Sequence, residues 1–327
     1  MGMRRRDFLM SALAPATSLM TVRGPVAASS LGIILAHEHL FSMFGEEPSE
    51  DYQYDTKLLL ATVVPYLEDL RAQGVTAIID GTTAWFGRNP ALLRDISSRT
   101  GIHLLTNTGY YGAANDRYIP KSAFDESADQ IAARWLKEWS GGIAGTGIKP
   151  GFIKLGVDPG ALSSIDRKLI AAAARTHRQS GLTLAVHTGD NPAAISAQLA
   201  ILRTEGVAPQ ALVWIHANQC RDDAAVLALA AAGIWISLDG LAADTLDRHL
   251  SLCRILKDAG RLQQALLSHD GNTFRANGKR PMKPYTALFS DFLPQLKAAG
   301  FDQNEIRTLT VDNPARAYAV GVRNLPH

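Results

Sequence analysis

Eight short apolar runs, each followed by a longer polar or helix-patterned stretch, constrain this 327-residue chain more than any other feature. The runs cover residues 32–36, 75–80, 102–107, 151–155, 182–186, 211–215, 234–238 and 265–268. Most are continuously apolar rather than alternating, which suits strands covered on both faces. Residues 55–72, 125–139, 166–180, 193–204 and 222–232 read as helices between them. Gly74, Gly181, Gly206 and Gly233 stand where a helix C-terminus favours glycine, and Asp166 reads as an N-cap. Eight strand–helix units are what a (β/α)8 TIM barrel requires. A doubly wound open sheet is the competing α/β architecture, but it would place a glycine-rich phosphate loop after its first strand. Here that place holds His37-Glu38-His39. The expectation is a single barrel domain over residues 17–327, with a helical layer around residues 285–320.

Composition excludes more than it specifies. At 46% hydrophobic and 20% charged the chain is ordinary for a folded domain of this size, and a formal net charge of +2 gives no footprint for nucleic acid. Cys220 and Cys253 are too few for a disulfide framework and read as buried free thiols. The N-terminus stands apart. Arg4-Arg5-Arg6-Asp7 precedes a short apolar stretch and Ala14-Pro15-Ala16, the pattern of a twin-arginine export signal over residues 1–16. That stretch is far below the ~20 residues a membrane span needs. Periplasmic or secreted localisation is therefore expected, with cleavage near Ala16. Cleavage after Ala28 would also remove residues 20–25.

The chemistry-bearing residues gather at strand ends. On a strand, His37 and His39 project to the same face. The fourth run delivers Lys154, the fifth His187, the sixth His216 and the eighth Asp270. In a parallel barrel these ends converge on one mouth, where barrel active sites lie. Any one of them alone is compatible with ordinary packing, and Lys154 alone with an ion pair to Asp158 or Asp190. Together they form a ligand set for two divalent ions. Lys154 joins such a set only if CO2 converts its amine to a carbamate, because an ammonium has no lone pair. His103, His177, His249 and His269 read as structural.

This pattern resembles the phosphotriesterase family of the amidohydrolase superfamily. The likeness runs from Thr21-Val22-Arg23-Gly24-Pro25 and residues 31–40, through Phe152-Ile153-Lys154, His187-Thr188-Gly189 and Ser268-His269-Asp270, to Asn313-Pro314-Ala315-Arg316-Ala317. The resemblance implies that His37, His39 and Asp270 hold a more buried metal and His187 and His216 a more exposed one. Carboxylated Lys154 and a hydroxide would bridge them, with Asp270 also shuttling the proton toward the leaving group. Zinc is the first expectation, and manganese, cobalt or iron suit the same ligands. A homodimer is expected by the same analogy.

Substrate choice falls to the loops beyond the strands. Trp85, Tyr110 and Tyr111 are expected to wall the mouth, and Arg275, with Lys279 and Arg280 in the same loop, to meet an anionic substrate group. Lactone-hydrolysing relatives often carry an Arg near Gly240, and its absence argues against an acyl-homoserine lactone. The expected activity is hydrolysis of a small carboxylic ester or lactone. The alternatives are an organophosphate triesterase, an N-acyl amide hydrolase, or an exported metal-binding protein without catalysis.

Overall fold

All eight expected barrel strands form in the computed structural model, which describes residues 17–325. Residues 1–16, where an export leader is expected, and His327 lie outside the described residues. An antiparallel hairpin, β1 (Ser18–Thr21) and β2 (Gly24–Ala27), comes first. The barrel follows with β3 (Ile33–Ser42), β4 (Val75–Asp80), β5 (His103–Leu105), β6 (Asn107–Thr108), β7 (Phe152–Gly156) and β8 (Leu184–His187). It continues with β9 (Leu212–Ile215), β10 (Trp235–Leu238), β11 (Ala265–Leu267) and β12 (Asn272–Arg275). Parallel pairing runs through β12-β3-β4-β5 and through β6-β7-β8-β9-β10-β11. The two arcs meet because β5 and β6 are one barrel strand interrupted at Thr106, and β11 and β12 another interrupted over residues 268–271. Across the first break Gly151 N–H donates to Thr106 O at 2.7 Å. At the second, Asp270 N–H donates to His37 O at 3.1 Å and His39 N–H to Gly271 O at 2.8 Å, closing the ring.

The helices start where short polar side chains satisfy their free N–H groups. Asp55 caps Thr56–Ala72, Ser127 caps Ala128–Gly141, and Asp222 caps Asp223–Ala231. Asp166 is not an N-cap. Helix Ser164–Ser180 begins earlier, capped by Ser163, and Asp166 is the reciprocal partner of that capping box, its Oδ2 accepting from Ser163 N–H at 3.0 Å. Gly74, Gly181, Gly206 and Gly233 all take positive φ past their helices. The C-terminal layer consists of two helical stretches, Leu288–Ala298 and Gln303–Tyr318.

Two apolar clusters flank the strands. The larger lies between strands and helices and contains Leu35 and Ile78. The smaller fills the barrel interior with Ile34, Ala36, Ala77, Ile79, Leu105 and Val213. Leu19 and Tyr318 seal its lower end, and Val22 N–H bonds Leu104 O at 2.8 Å. The hairpin is thus part of the folded domain. Cys220 and Cys253 are free and buried.

Candidate metal centre

The mouth of the barrel is a cavity of about 260 Å³, and His37, His39, Lys154, His187, His216 and Asp270 all face it. A register slip between Leu35 and Glu38 aims the first two. Strict alternation from Ile34 and Ala36, which point inward, would turn His37 and His39 outward. The bulge resets the phase, as bulges near sites do. His187 ends β8, while His216 and Asp270 leave their strands in the left-handed region, at φ 65 and 51. For residues other than glycine such a conformation costs roughly 1–3 kcal/mol. His216 is held in it by its own N–H, which donates to Asp239 Oδ1 at 2.8 Å.

Each imidazole on the mouth side of Asp239 has one nitrogen engaged from behind. His37 Nδ1 bonds Asp239 Oδ2 at 2.7 Å, and His216 Nδ1 lies 2.8 Å from Asp239 Oδ1. Thr82 donates its hydroxyl to Phe41 O at 3.0 Å, so it accepts from His39 Nδ1 at 2.8 Å. In all three rings Nε2 is left for the cavity, the arrangement that fixes a metal-binding tautomer. Burial, with Lys154 nearby, pushes His37 down to about 3. Burial and the adjoining His216 and Lys154 put His187 well below the ordinary range too. Both rings are therefore neutral at pH 7 and free to ligate. Burial opposes protonation of His216, but the charge and hydrogen bond of Asp239 outweigh it and raise its pKa.

His37, His39 and Asp270 bring three donor atoms within 4.8 Å of one another. Asp270 Oδ1 lies 3.3 Å from His39 Nε2 and 3.7 Å from His37 Nε2. Burial works to raise the Asp270 carboxyl, but its hydrogen bond to His39 and the nearby imidazoles hold it well below the usual range. His187 and His216 stack edge to face with ring centroids 4.4 Å apart. Lys154 is the test of fit. It is 1% exposed, no carboxylate lies within 4 Å among the described residues, and its Nζ meets His37 Nε2 at 3.0 Å. Asp158 instead accepts two backbone N–H groups, and Asp190 faces Arg221. Burial lowers the Lys154 amine to about 8 despite Asp239 and Asp270, so its ammonium is disfavoured there by roughly 3 kcal/mol. Conversion to a carbamate removes that cation and supplies two donor oxygens. The donor set fits two divalent ions.

Asp239, Glu38, Thr82 and Phe86 escaped the sequence reasoning. Asp239 follows β10 as His216 follows β9, so the rule that found the ligands also points to it. It accepts four hydrogen bonds, from His37 Nδ1, the backbone N–H and the Nδ1 of His216, and Ser237 Oγ. These donors overcome its burial and hold its carboxyl well below the usual range. Asp239→Asn would face one imidazole N–H with an amide N–H. Metal affinity is expected to fall roughly 10–100-fold, measured by competition with a chelating dye; unchanged affinity would remove this role. Glu38 accepts from Ser268 Oγ, His269 N, His269 Nδ1 and Gly271 N. His269 Nε2 accepts from Leu288 N–H, which makes His269 a support behind the site. Gly81 packs against the ligands, and a Cβ there would sit 2.9 Å from the His37 ring.

Of the expected substrate-binding residues, Tyr111 and Arg275 line the cavity and Trp85 and Tyr110 do not; Tyr110 is buried against Trp135 instead. Trp85 adopts φ 65, which turns it onto the core and brings Phe86 to the cavity instead. Phe86 and Tyr111 stack with centroids 5.7 Å apart. Lys283 also lines the mouth, its Nζ 3.0 Å from Asp270 Oδ2.

The sequence model of the phosphotriesterase family matches residues 17–318. The phosphotriesterase homology protein of Escherichia coli is 28% identical over 295 residues, covering 88% of this chain and 98% of that protein. The aryldialkylphosphatase of Saccharolobus solfataricus is 26% identical over 309 residues, covering 90% and 97%. Among solved structures, a triple mutant of the organophosphorus hydrolase from Deinococcus radiodurans superimposes with a TM-score of 0.81 at 28% identity, covering 94% of this chain and 100% of that one.

Proposed function

Because this chain belongs to the phosphotriesterase family of metal-dependent hydrolases, we propose that it hydrolyses a small carboxylic ester or lactone with two divalent ions at the barrel mouth. The observation that carries the reading is Lys154, a buried amine that meets the His37 ring and, among the described residues, has no carboxylate within 4 Å. His37, His39 and Asp270 would hold one ion, His187 and His216 the other, and carboxylated Lys154 would join them. Two such ions supply a water of lowered pKa and polarise the substrate's carbonyl oxygen. Asp270 takes up a proton at its carboxylate and passes it toward the leaving group. Phe86 and Tyr111 form an apolar wall that excludes water from one side. Zinc is the ion proposed first, since imidazole and carboxylate donors suit it.

A phosphotriester is the second reading, favoured by the likeness to an aryldialkylphosphatase. The deciding experiment loads the purified protein with zinc, manganese, cobalt or iron in bicarbonate and compares kcat/KM over lactones, aryl esters, phosphotriesters and N-acyl amino acids. The ester and lactone panel is expected to lead. A phosphotriester or amide ahead of every ester and lactone would overturn the assignment.

We also propose export through the twin-arginine leader with cleavage near Ala16. Leu19 is fully buried and Val22 is tied to β5, so a cut beyond the hairpin removes packed structure. Among the described residues, no helix is long and apolar enough to cross a membrane. N-terminal sequencing of the exported protein should begin near residue 17, and a start after residue 25 would refute this.

A further inference from the structure

Beyond the ligands, the mouth has an apolar side and a cationic side. Among the described residues, Asp270 is the only acidic one lining the cavity, while Arg275 and Lys283 line it from β12 and the segment that follows. Lys283 is already engaged by Asp270. Arg275 has no such partner: among the described residues no carboxylate lies within 4 Å of it, and its buried Nε makes no hydrogen bond. Its Nη1 reaches only Pro281 O, at 3.2 Å.

The fold concentrates this charge instead of dispersing it. Arg275 and Arg280 are antiparallel bridge partners across the turn Ala276–Gly278, and like charges placed opposite one another are destabilising. Both guanidinium groups lie against Phe44, with Cζ 5.1 and 5.9 Å from its centroid. Phe44 lines the same cavity. Among the described residues Arg280 has no carboxylate within 4 Å either, while neighbouring Lys279 is paired with Glu46 at 3.0 Å. The turn is anchored, since Asn277 accepts from Asp55 N at 2.9 Å and donates to Gln53 O at 3.0 Å. The two arginines are therefore held in place before any ligand arrives.

We propose that Arg275, supported by Arg280, binds a carboxylate on the substrate, so that the hydrolysed esters or lactones are monoanions. The inference rests on the ester or lactone reading above and names its substrate class. A planar guanidinium fork matches a carboxylate, and a charge-assisted pair in a partly desolvated mouth is stronger than the neutral equivalent. In that arrangement the scissile carbonyl lies over the metal ligands, the apolar body against Phe86 and Tyr111, and the carboxylate against Arg275.

The test compares 4-acetoxybenzoate with 4-acetoxybenzamide, which share shape but differ in charge, on the metal-loaded full chain after correction for the buffer rate. The wild type is expected to favour the anion by at least about tenfold in kcat/KM, mostly through KM. That preference should shrink with added salt. In Arg275→Met the ratio should collapse to within about threefold, and Arg275→Lys should keep part of it. Equal use of both esters by the wild type, or an undiminished ratio in Arg275→Met, would overturn the proposal. If neither ester is turned over, ester hydrolysis itself is in question, and titration calorimetry with 4-hydroxybenzoate against 4-hydroxybenzamide decides the anion site. Carboxylate-selective binding lost in Arg275→Met supports it, and binding indifferent to that change refutes it.

Discussion

Replacing Lys154 by Ala is expected to reduce bound divalent metal from about two ions per chain to one or fewer, and to lower turnover by roughly a thousandfold or more. The reason is positional. Lys154 projects from β7 between the His37 side of the cavity and the His187–His216 side, 3.0 Å from His37 Nε2 and 1% exposed. Among the described residues lining the mouth, Asp270 is the one acidic candidate with two oxygens to offer, and it already sits against His37 and His39. Metal analysis after reconstitution checks this, and a variant that keeps both ions would remove Lys154 from the site.

The same residue predicts a pH dependence. Only the neutral amine reacts with CO2, and burial lowers Lys154 to about 8. At pH 7 roughly a tenth of it is then neutral, against less than about one part in a thousand for a lysine at its ordinary value. Carbamate formation in the metal-free protein, followed by ¹³C NMR at fixed dissolved CO2, should rise with pH and level off above about 8. A rate that does not change from pH 6 to 8 would contradict it.

Replacing Asp270 by Asn is expected to abolish measurable hydrolysis, a fall of roughly 100- to 10,000-fold in kcat, while the fold and at least one ion remain. The substitution isolates charge and proton acceptance from shape. Asp270 sits at φ 51, a left-handed conformation that Asn tolerates as readily as Asp. Its backbone N–H, which bonds His37 O, is unchanged. What is lost is the carboxylate held ionised by His39, His37 and His216, and a neutral amide cannot take up a proton at pH 7. Unchanged kcat on a proven substrate would sink the assigned role.

Much of the barrel was legible because its strands are local objects. Eight apolar runs and the glycines after the helices carry their own signals, and six polar residues at strand ends were sufficient to locate the mouth. Where strands continue through polar residues, the signal fails. β3 runs on to Ser42 although the continuous apolar run ends at Ala36, because Glu38 receives four hydrogen bonds from residues more than 200 positions away. Trp85 misled for a related reason. A left-handed backbone at that residue reverses which side chain meets the cavity, and nothing in Ala84-Trp85-Phe86 announces it.

By itself the sequence determined the fold class and the inventory of candidate metal donors, since both depend on residue type and periodicity along the chain. Tertiary structure decided how those donors are aimed. The bulge that turns His37 and His39 inward, the single carboxylate of Asp239 that orients His37 and His216, and the turn that sets Arg275 beside Arg280 all arise from contacts between distant segments. Directional hydrogen bonds and like-charge proximity exist only once the barrel has closed.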